Sequence, residues 1–146
     1  MTVHKIPVSV LVVIYTADGQ VLLMERADAP GFWQSVTGSR DVGETLEQTA
    51  IREVREETGL DAARFELTPW EIETRYEIYE RWRYRYAPGV THNTEHVFGL
   101  CLPEAQSITL APREHLRFEW LPWDTAAARC FSPSNAAAIR LIPSRL

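Results

Sequence analysis

Cysteine is scarce in this sequence: Cys101 and Cys130 are the only two among 146 residues. Their separation fits no metal-ligand pattern, so both are expected to be reduced thiols and the fold has to hold without disulfides. Long apolar runs are missing as well. The longest, Val10 to Tyr15, is far short of the roughly 20 residues a membrane span needs, so no membrane partner is expected. The opening Met1-Thr2-Val3-His4-Lys5-Ile6-Pro7 has no secretory-type apolar stretch, which points to a cytoplasmic protein. Positive charge is in the minority: 15 Lys and Arg face 20 Asp and Glu, a net charge of -5. That balance argues against a non-specific nucleic-acid binder, and no nucleic-acid partner is expected. There is no internal repeat, low-complexity tract or linker. With 45% hydrophobic residues the chain can bury a core, and one domain over residues 1–146 is expected, working as a monomer rather than an obligate oligomer. Five Trp and five Tyr offer aromatic ligand contacts, although packing in the core is the simplest use of them.

Val8 to Tyr15 is a nearly unbroken β-branched run and reads as a strand covered on both faces. Asp18-Gly19 makes a turn, and Val21 to Met24 returns as a second strand. Phe32 to Thr37 is a short extended piece that runs into Gly38. Thr45 to Thr58 is the clearest helix, opened by a Thr45/Gln48 capping box and closed by Gly59. Further strands are expected at Glu71–Arg75, Tyr79–Tyr86, Glu95–Leu102 and Phe118–Leu121. Helices are expected at Thr125–Arg129 and Asn135–Ile142, with Pro133 between them. The pattern predicts an α/β fold with a mixed sheet sandwiched between helices.

Gly38 begins a string that carries chemistry: five residues, Glu44, seven residues, then Arg52-Glu53-Val54-Arg55-Glu56-Glu57-Thr58-Gly59-Leu60. At about 100° per residue, Leu46, Ala50 and Val54 form a narrow apolar arc, with Glu53 and Glu57 on its edge. Like charges four residues apart repel, and a divalent cation reverses the sign of that interaction. Carboxylates with no nearby His or Cys suit a hard ion, Mg²⁺ or Mn²⁺. Glu56 sits further round the helix, within reach of the same ion. Arg52 and Glu44 can pair and pin the preceding loop, and Gly38 and Gly43 permit its tight backbone. Three glutamates at such spacing most simply make a solvated salt-bridge face. The full string, with Glu44 and both glycines in register, favours the metal site.

That string matches the Nudix box, G-x5-E-x7-R-E-U-x-E-E-x-G-U, at every fixed position, a coincidence of about 1 in 10⁷ or rarer by average residue usage. The chain is thus identified as resembling the Nudix hydrolases, which cleave nucleoside-diphosphate-type linkages with carboxylate-held metals. Outside the box, Pro7–Tyr15, Phe32–Ser39, Arg85–Thr91, Asn93-Thr94-Glu95 and Glu114-His115-Leu116 resemble the bacterial dihydroneopterin triphosphate diphosphatases within that family. Ser39, in place of a second glycine, fits that group too.

The resemblance implies removal of pyrophosphate from dihydroneopterin triphosphate, with Mg²⁺ (Mn²⁺ possible) on Glu53, Glu57 and Glu114. It implies substrate contacts at Lys5, Arg26, Thr37, Tyr76, Glu77, Ile78, Tyr79 and Ser132. The chain around Ser132 diverges from the group, and Tyr76 and Tyr79 stand where phenylalanine is expected. Glu56 is the candidate for orienting or deprotonating the water, with Glu114 the alternative and Arg52 and Glu44 in support. Simpler readings stay open for Lys5, as a solvated terminal charge, and for Arg26, as a surface ion pair. Arg81, Arg83 and Arg85 alternate with aromatics, as on a two-faced strand or a phosphate or RNA track, and His92, His96 and His115 read as structural. The competing functions are a nucleotide pyrophosphohydrolase acting on dNTPs or dinucleoside polyphosphates, a non-catalytic nucleotide sensor, and an RNA-decapping enzyme.

Overall fold

The computed structural model describes residues 3–146, so Met1 and Thr2, with their share of the leader and domain expectations, lie outside the described residues. The strand expected at Val8 runs over Val8–Thr16 (β1) and is buried from Ser9 onward. Its two faces feed two cores. Val10, Val12 and Ile14 pack with Ala50 and Val54 of the helix Leu46–Thr58 (α1). Leu11, Val13 and Tyr15 pack with Ala126, Ala127, Ala138 and Ile139. Those four belong to two short helices, Trp123–Arg129 (α2) and Pro133–Ile139 (α3). A strand with period-two side chains can only be apolar throughout if helices cover both faces, and here they do.

The other strands are Gln20–Arg26 (β2), Trp33–Gln34 (β3), Val36–Ser39 (β4), Glu66–Glu77 (β5), His92–Leu102 (β6) and His115–Pro122 (β7). They form one seven-stranded mixed sheet with β3-β2-β1-β6-β5 as its main path. β1 and β6 run parallel from Val8↔Thr94 to Thr16↔Leu102. β4 pairs antiparallel with the first half of β1, and β7 with β2. Among the described residues no helix is long and apolar enough to cross a membrane.

Helix α1 starts and stops where its caps dictate. The Thr45 side chain accepts from the Gln48 N–H, and the Gln48 side chain accepts from the Thr45 N–H at 2.9 Å. Gly59 closes the helix at φ 77°, a left-handed conformation that costs glycine nothing.

Three expectations need correcting. Tyr79–Tyr86 is no strand, because Glu80–Arg85 forms a 3₁₀ helix. In a helix of period three, Tyr79, Trp82 and Arg85 share one face, whereas a strand would throw Trp82 and Arg85 to opposite sides. The shared face has anchors: Trp82 Nε1 and Arg85 Nη2 both donate to Asp28, and Trp82 packs edge-on against Phe32 and Phe131. Pro133 starts α3 rather than separating two helices, since its missing N–H costs nothing at a first turn capped by Ser132. Strand β5 is longer than the expected Glu71–Arg75 and absorbs a register shift between Pro69 and Glu73, with Glu71 at φ 58°.

Candidate active site

Glu53 and Glu57 both lie on the face of α1 turned toward the sheet, and both are buried. The chain makes room for Glu53 at Gly38 on β4: a Cβ there would overlap the Glu53 carboxyl group. Glu57 is only 2% exposed, and its Oε1 is buried without a hydrogen-bond partner. Burial, a hydrogen bond with Glu53, and the charges of Glu53 and Glu114 push the Glu57 carboxyl well above the usual carboxylate range. Burial also raises Glu53, against the pull of Glu57 and Arg52. Without a cation the pair has to hold a proton to be tolerable at this depth.

Arg52 ties the rest of the string together. Its Nε and Nη2 donate to the two oxygens of Glu44 at 2.8 and 3.0 Å, a bidentate pair. Its Nη1 donates to Glu53 at 2.8 Å, and its Nη2 also donates to the Ser39 carbonyl at 3.0 Å. Glu44 accepts in addition from the Asp41 N–H and the Thr49 hydroxyl, each at 2.9 Å. These donors, Arg52 above all, lower Glu44 to about 2. The loop and the helix are therefore pinned as expected. Glu56 is exposed beside the same guanidinium, at 3.4 Å.

Glu114 lies in the turn before β7, where its carbonyl accepts from the Ala27 N–H at 2.9 Å. Among the described residues no three carboxylate, imidazole or thiolate groups form a ready metal cage. Glu53 and Glu57 are in place, while Glu114 reaches Glu57 by charge alone. The next residue, His115, lines the same cleft as Glu114. It is buried, with Nε2 3.7 Å from Glu57 Oε1. Burial and the Arg26 charge lower it to about 4, so it is neutral at pH 7.

Arg52, Glu53, Glu56, Glu57, Glu114 and His115 all open on one cleft of about 900 Å³. The expected substrate residues line it too: Lys5, Arg26, Thr37, Tyr76, Glu77, Ile78, Tyr79 and Ser132. Arg26 makes the expected ion pair while also lining the cleft. Its Nε and Nη2 hold Asp28 at 2.7 and 2.8 Å, and its guanidinium lies 4.2 Å from the centre of the Trp82 ring, inside the cleft. Asp28 also accepts from Arg85 at 2.8 Å, and Arg26 with Arg85 holds its carboxyl well below the usual range. Partial burial and the nearby Arg85 lower the Lys5 ammonium, with Glu53 pulling the other way.

Tyr79 joins an aromatic wall with Trp82 and Phe131 at centroid distances of 5.4 and 6.0 Å. The Tyr76 hydroxyl accepts from Asn93 at 3.0 Å, and burial pushes its phenol up to about 12. Thr37 is turned partly inward, its hydroxyl donating to the Val10 carbonyl at 3.0 Å. Glu77 is largely exposed and pairs with Arg83 at 2.8 Å, and Ile78 is buried. Ser132 caps α3.

Asp28, Trp82 and Phe131 also line the cleft without having been expected there, and nothing in their local pattern marks them; His115 lies in the Glu114-His115-Leu116 segment that carries the resemblance but was not expected at the cleft. Asn93 and Glu95 carry a signal that could have been read: polar residues two apart on a buried strand face the same way.

The donor set fits a hard divalent ion. The deepest donors are carboxylate oxygens, one of them orphaned, and the one imidazole nearby is neutral and stands off from Glu57.

The NUDIX domain profile matches residues 5–142. The dihydroneopterin triphosphate diphosphatase of Escherichia coli K12 is 49% identical over 140 residues, covering 94% of this chain and 92% of that protein. The enzyme of the same name from Haemophilus influenzae is 43% identical over 143 residues, covering 96% and 89%. A solved structure of the E. coli dihydroneopterin triphosphate pyrophosphohydrolase superposes with a TM-score of 0.92 at 46% identity, covering 99% of this chain and 100% of that one. A C. elegans Ap4A hydrolase, 21% identical with a TM-score of 0.72, shares the fold. With the box geometry, the sandwiched sheet and these matches in agreement, the chain belongs to the Nudix family.

Proposed function

We propose that this chain hydrolyses dihydroneopterin triphosphate to the monophosphate and pyrophosphate, using Mg²⁺ or Mn²⁺ and working as a monomer on a small-molecule triphosphate. The observation that carries the reading is a single cleft lined both by the repelling carboxylates Glu53 and Glu57 and by Tyr76, Tyr79, Trp82 and Phe131. A triphosphate joined to a flat heteroaromatic ring needs both surfaces in one place. The names and full-length coverage of the bacterial relatives support the same substrate.

Glu53, Glu57 and Glu114 would hold the metal, which when bound neutralises phosphate charge and makes a water a stronger nucleophile at neutral pH. Arg52 keeps Glu53 and the Glu44 loop in register. Glu56, free of strong pairing, takes the proton of the attacking water. Lys5 and Arg26 draw the phosphates into the cleft, and Asp28 fixes the direction of Arg26. The hydrolysis consumes one water and breaks one bridging P–O bond, with pyrophosphate leaving. The test is a panel of pterin and nucleoside triphosphates assayed with Mg²⁺ and again with EDTA. Turnover should require metal, and kcat/KM should favour the pterin at least about tenfold, which needs only about 1.4 kcal/mol of differential binding. A dNTP cleaved more efficiently would put the nucleotide reading first, and full activity in EDTA would remove the metal assignment.

A further inference from the structure

Part of the cleft wall is built from hydrogen-bond acceptors that the reaction described above does not use. Asn93 and Glu95 stand two apart on β6, facing the same way, and both line the cleft. They are 1% and 5% exposed. In register beside them lie Tyr76 and Thr74 of β5 and Ser9 of β1. Asn93 is fixed by its amide nitrogen, which donates to Ser9 Oγ at 2.7 Å and to the Tyr76 hydroxyl at 3.0 Å. That leaves its Oδ1 buried with no partner.

Glu95 accepts one hydrogen bond, from Ser134 Oγ at 2.9 Å on Oε1. No lysine or arginine among the described residues pairs with it. Burial accordingly raises its carboxyl pKa, opposed only by Ser134. A buried carboxylate beside an orphaned amide oxygen is costly to keep. Each carboxylate oxygen can accept twice, so the pair presents acceptors and no donor to the cleft.

Resting on the function proposed above, we infer that Glu95 and Asn93 form the specificity site for the ring, and that they read the amino-amide edge of a 2-amino-4-oxopteridine. On that edge the ring N3–H and the 2-amino group point the same way, spaced to meet the two oxygens of one carboxylate. Asn93 Oδ1 accepts a further N–H of the same ring. A ring carrying a carbonyl at position 2 would set an acceptor against the carboxylate, and a buried mismatch of that kind discriminates more strongly than a lost apolar contact. The phosphate-facing groups, Lys5 and Arg26, lie in the same cleft, so one ligand can satisfy both sites.

The test uses two free rings and no phosphate. Pterin and lumazine, which differ at position 2 by an amino group and a carbonyl, are titrated calorimetrically into the wild-type protein and into Glu95→Gln. Pterin should bind the wild type at least about tenfold more tightly than lumazine, and Glu95→Gln should close most of that gap. Equal binding of the two rings by the wild type, no binding of either, or an unchanged ratio in a Glu95→Gln variant of normal thermal midpoint overturns the inference. The wild-type comparison stands even if the variant fails to fold. Cleavage of dihydroneopterin triphosphate is measured alongside. A chain that cleaves it yet ignores the amino group refutes the role of Glu95 alone, whereas one that does not cleave it refutes the proposed function.

Discussion

The carboxyl group of Glu53 fills the space that a side chain at Gly38 would occupy. The first glycine of the box thus works by what it leaves out, holding a strand of the sheet close against the acidic face of α1. Gly38→Ala should push Glu53 off its position. Overpacking at such a contact typically costs about 1–3 kcal/mol of stability. Metal-dependent turnover should fall by at least about tenfold, because small misplacements at a phosphoryl-transfer site are expensive. Thermal melts and steady-state kinetics on the one variant check both.

Glu57→Gln separates the metal site from a structural salt-bridge face. A lost ligand should cost about 10²-fold or more in kcat. The metal-free variant should nevertheless be as stable as the wild type or more so, because the wild-type carboxylate has a buried, unpartnered oxygen. The pH dependence follows from the raised pKa. A carboxyl whose folded pKa lies above its unfolded value of 4.5 binds more protons when folded, so its contribution to stability is present at low pH and lost as pH rises through the folded value. The stability of metal-free wild type minus that of Glu57→Gln should therefore decline as pH rises above about 4.5, the ordinary range of a glutamate. Mg²⁺ should restore wild-type stability most at the upper end. Melting curves with and without metal measure this, and a variant that unfolds would favour the salt-bridge face.

Arg52 grips Glu44 with two nitrogens and touches Glu53 with a third. A lysine keeps the charge and loses the fork, so Arg52→Lys should behave much more like Arg52→Ala than like the wild type. Both should lower stability by about 1–3 kcal/mol, since Glu44 and Glu53 lose their charged donor. Denaturant melts of the two variants decide it, and full rescue by lysine would show that charge alone matters.

Asp28 holds Arg26 and Arg85 on a single carboxylate. Asp28→Ala should release both arginines and raise KM for the triphosphate by about tenfold, with a smaller effect on kcat, if, as proposed, Arg26 meets the phosphates and so loses its direction. A kcat loss without a KM change would assign Asp28 to the chemical step.

Much of this site could be read from the sequence because its parts are local. The capping box, Gly59 and the four-residue spacing of Glu53 and Glu57 all lie within one helix, where 3.6-residue geometry fixes their relation. Glu44, in the loop just before the helix, pairs with Arg52 only eight residues further on, close enough for the motif to point to it. The segment from Tyr79 to Tyr86 misled because alternating charge and aromatic residues imitate a strand, while the deciding contacts come from Asp28, Phe32 and Phe131 on other elements. His115 shows the same limit. It is brought to Glu57 by the pairing of β7 with β2, a long-range contact that residue spacing along the chain does not encode.

The most direct test of the account is product analysis of dihydroneopterin triphosphate cleavage in Mg²⁺ by phosphorus NMR under single-turnover conditions. Pyrophosphate and the monophosphate should appear together at one rate, with neither formed when EDTA replaces Mg²⁺. Orthophosphate as the first product, with a diphosphate intermediate, would contradict it.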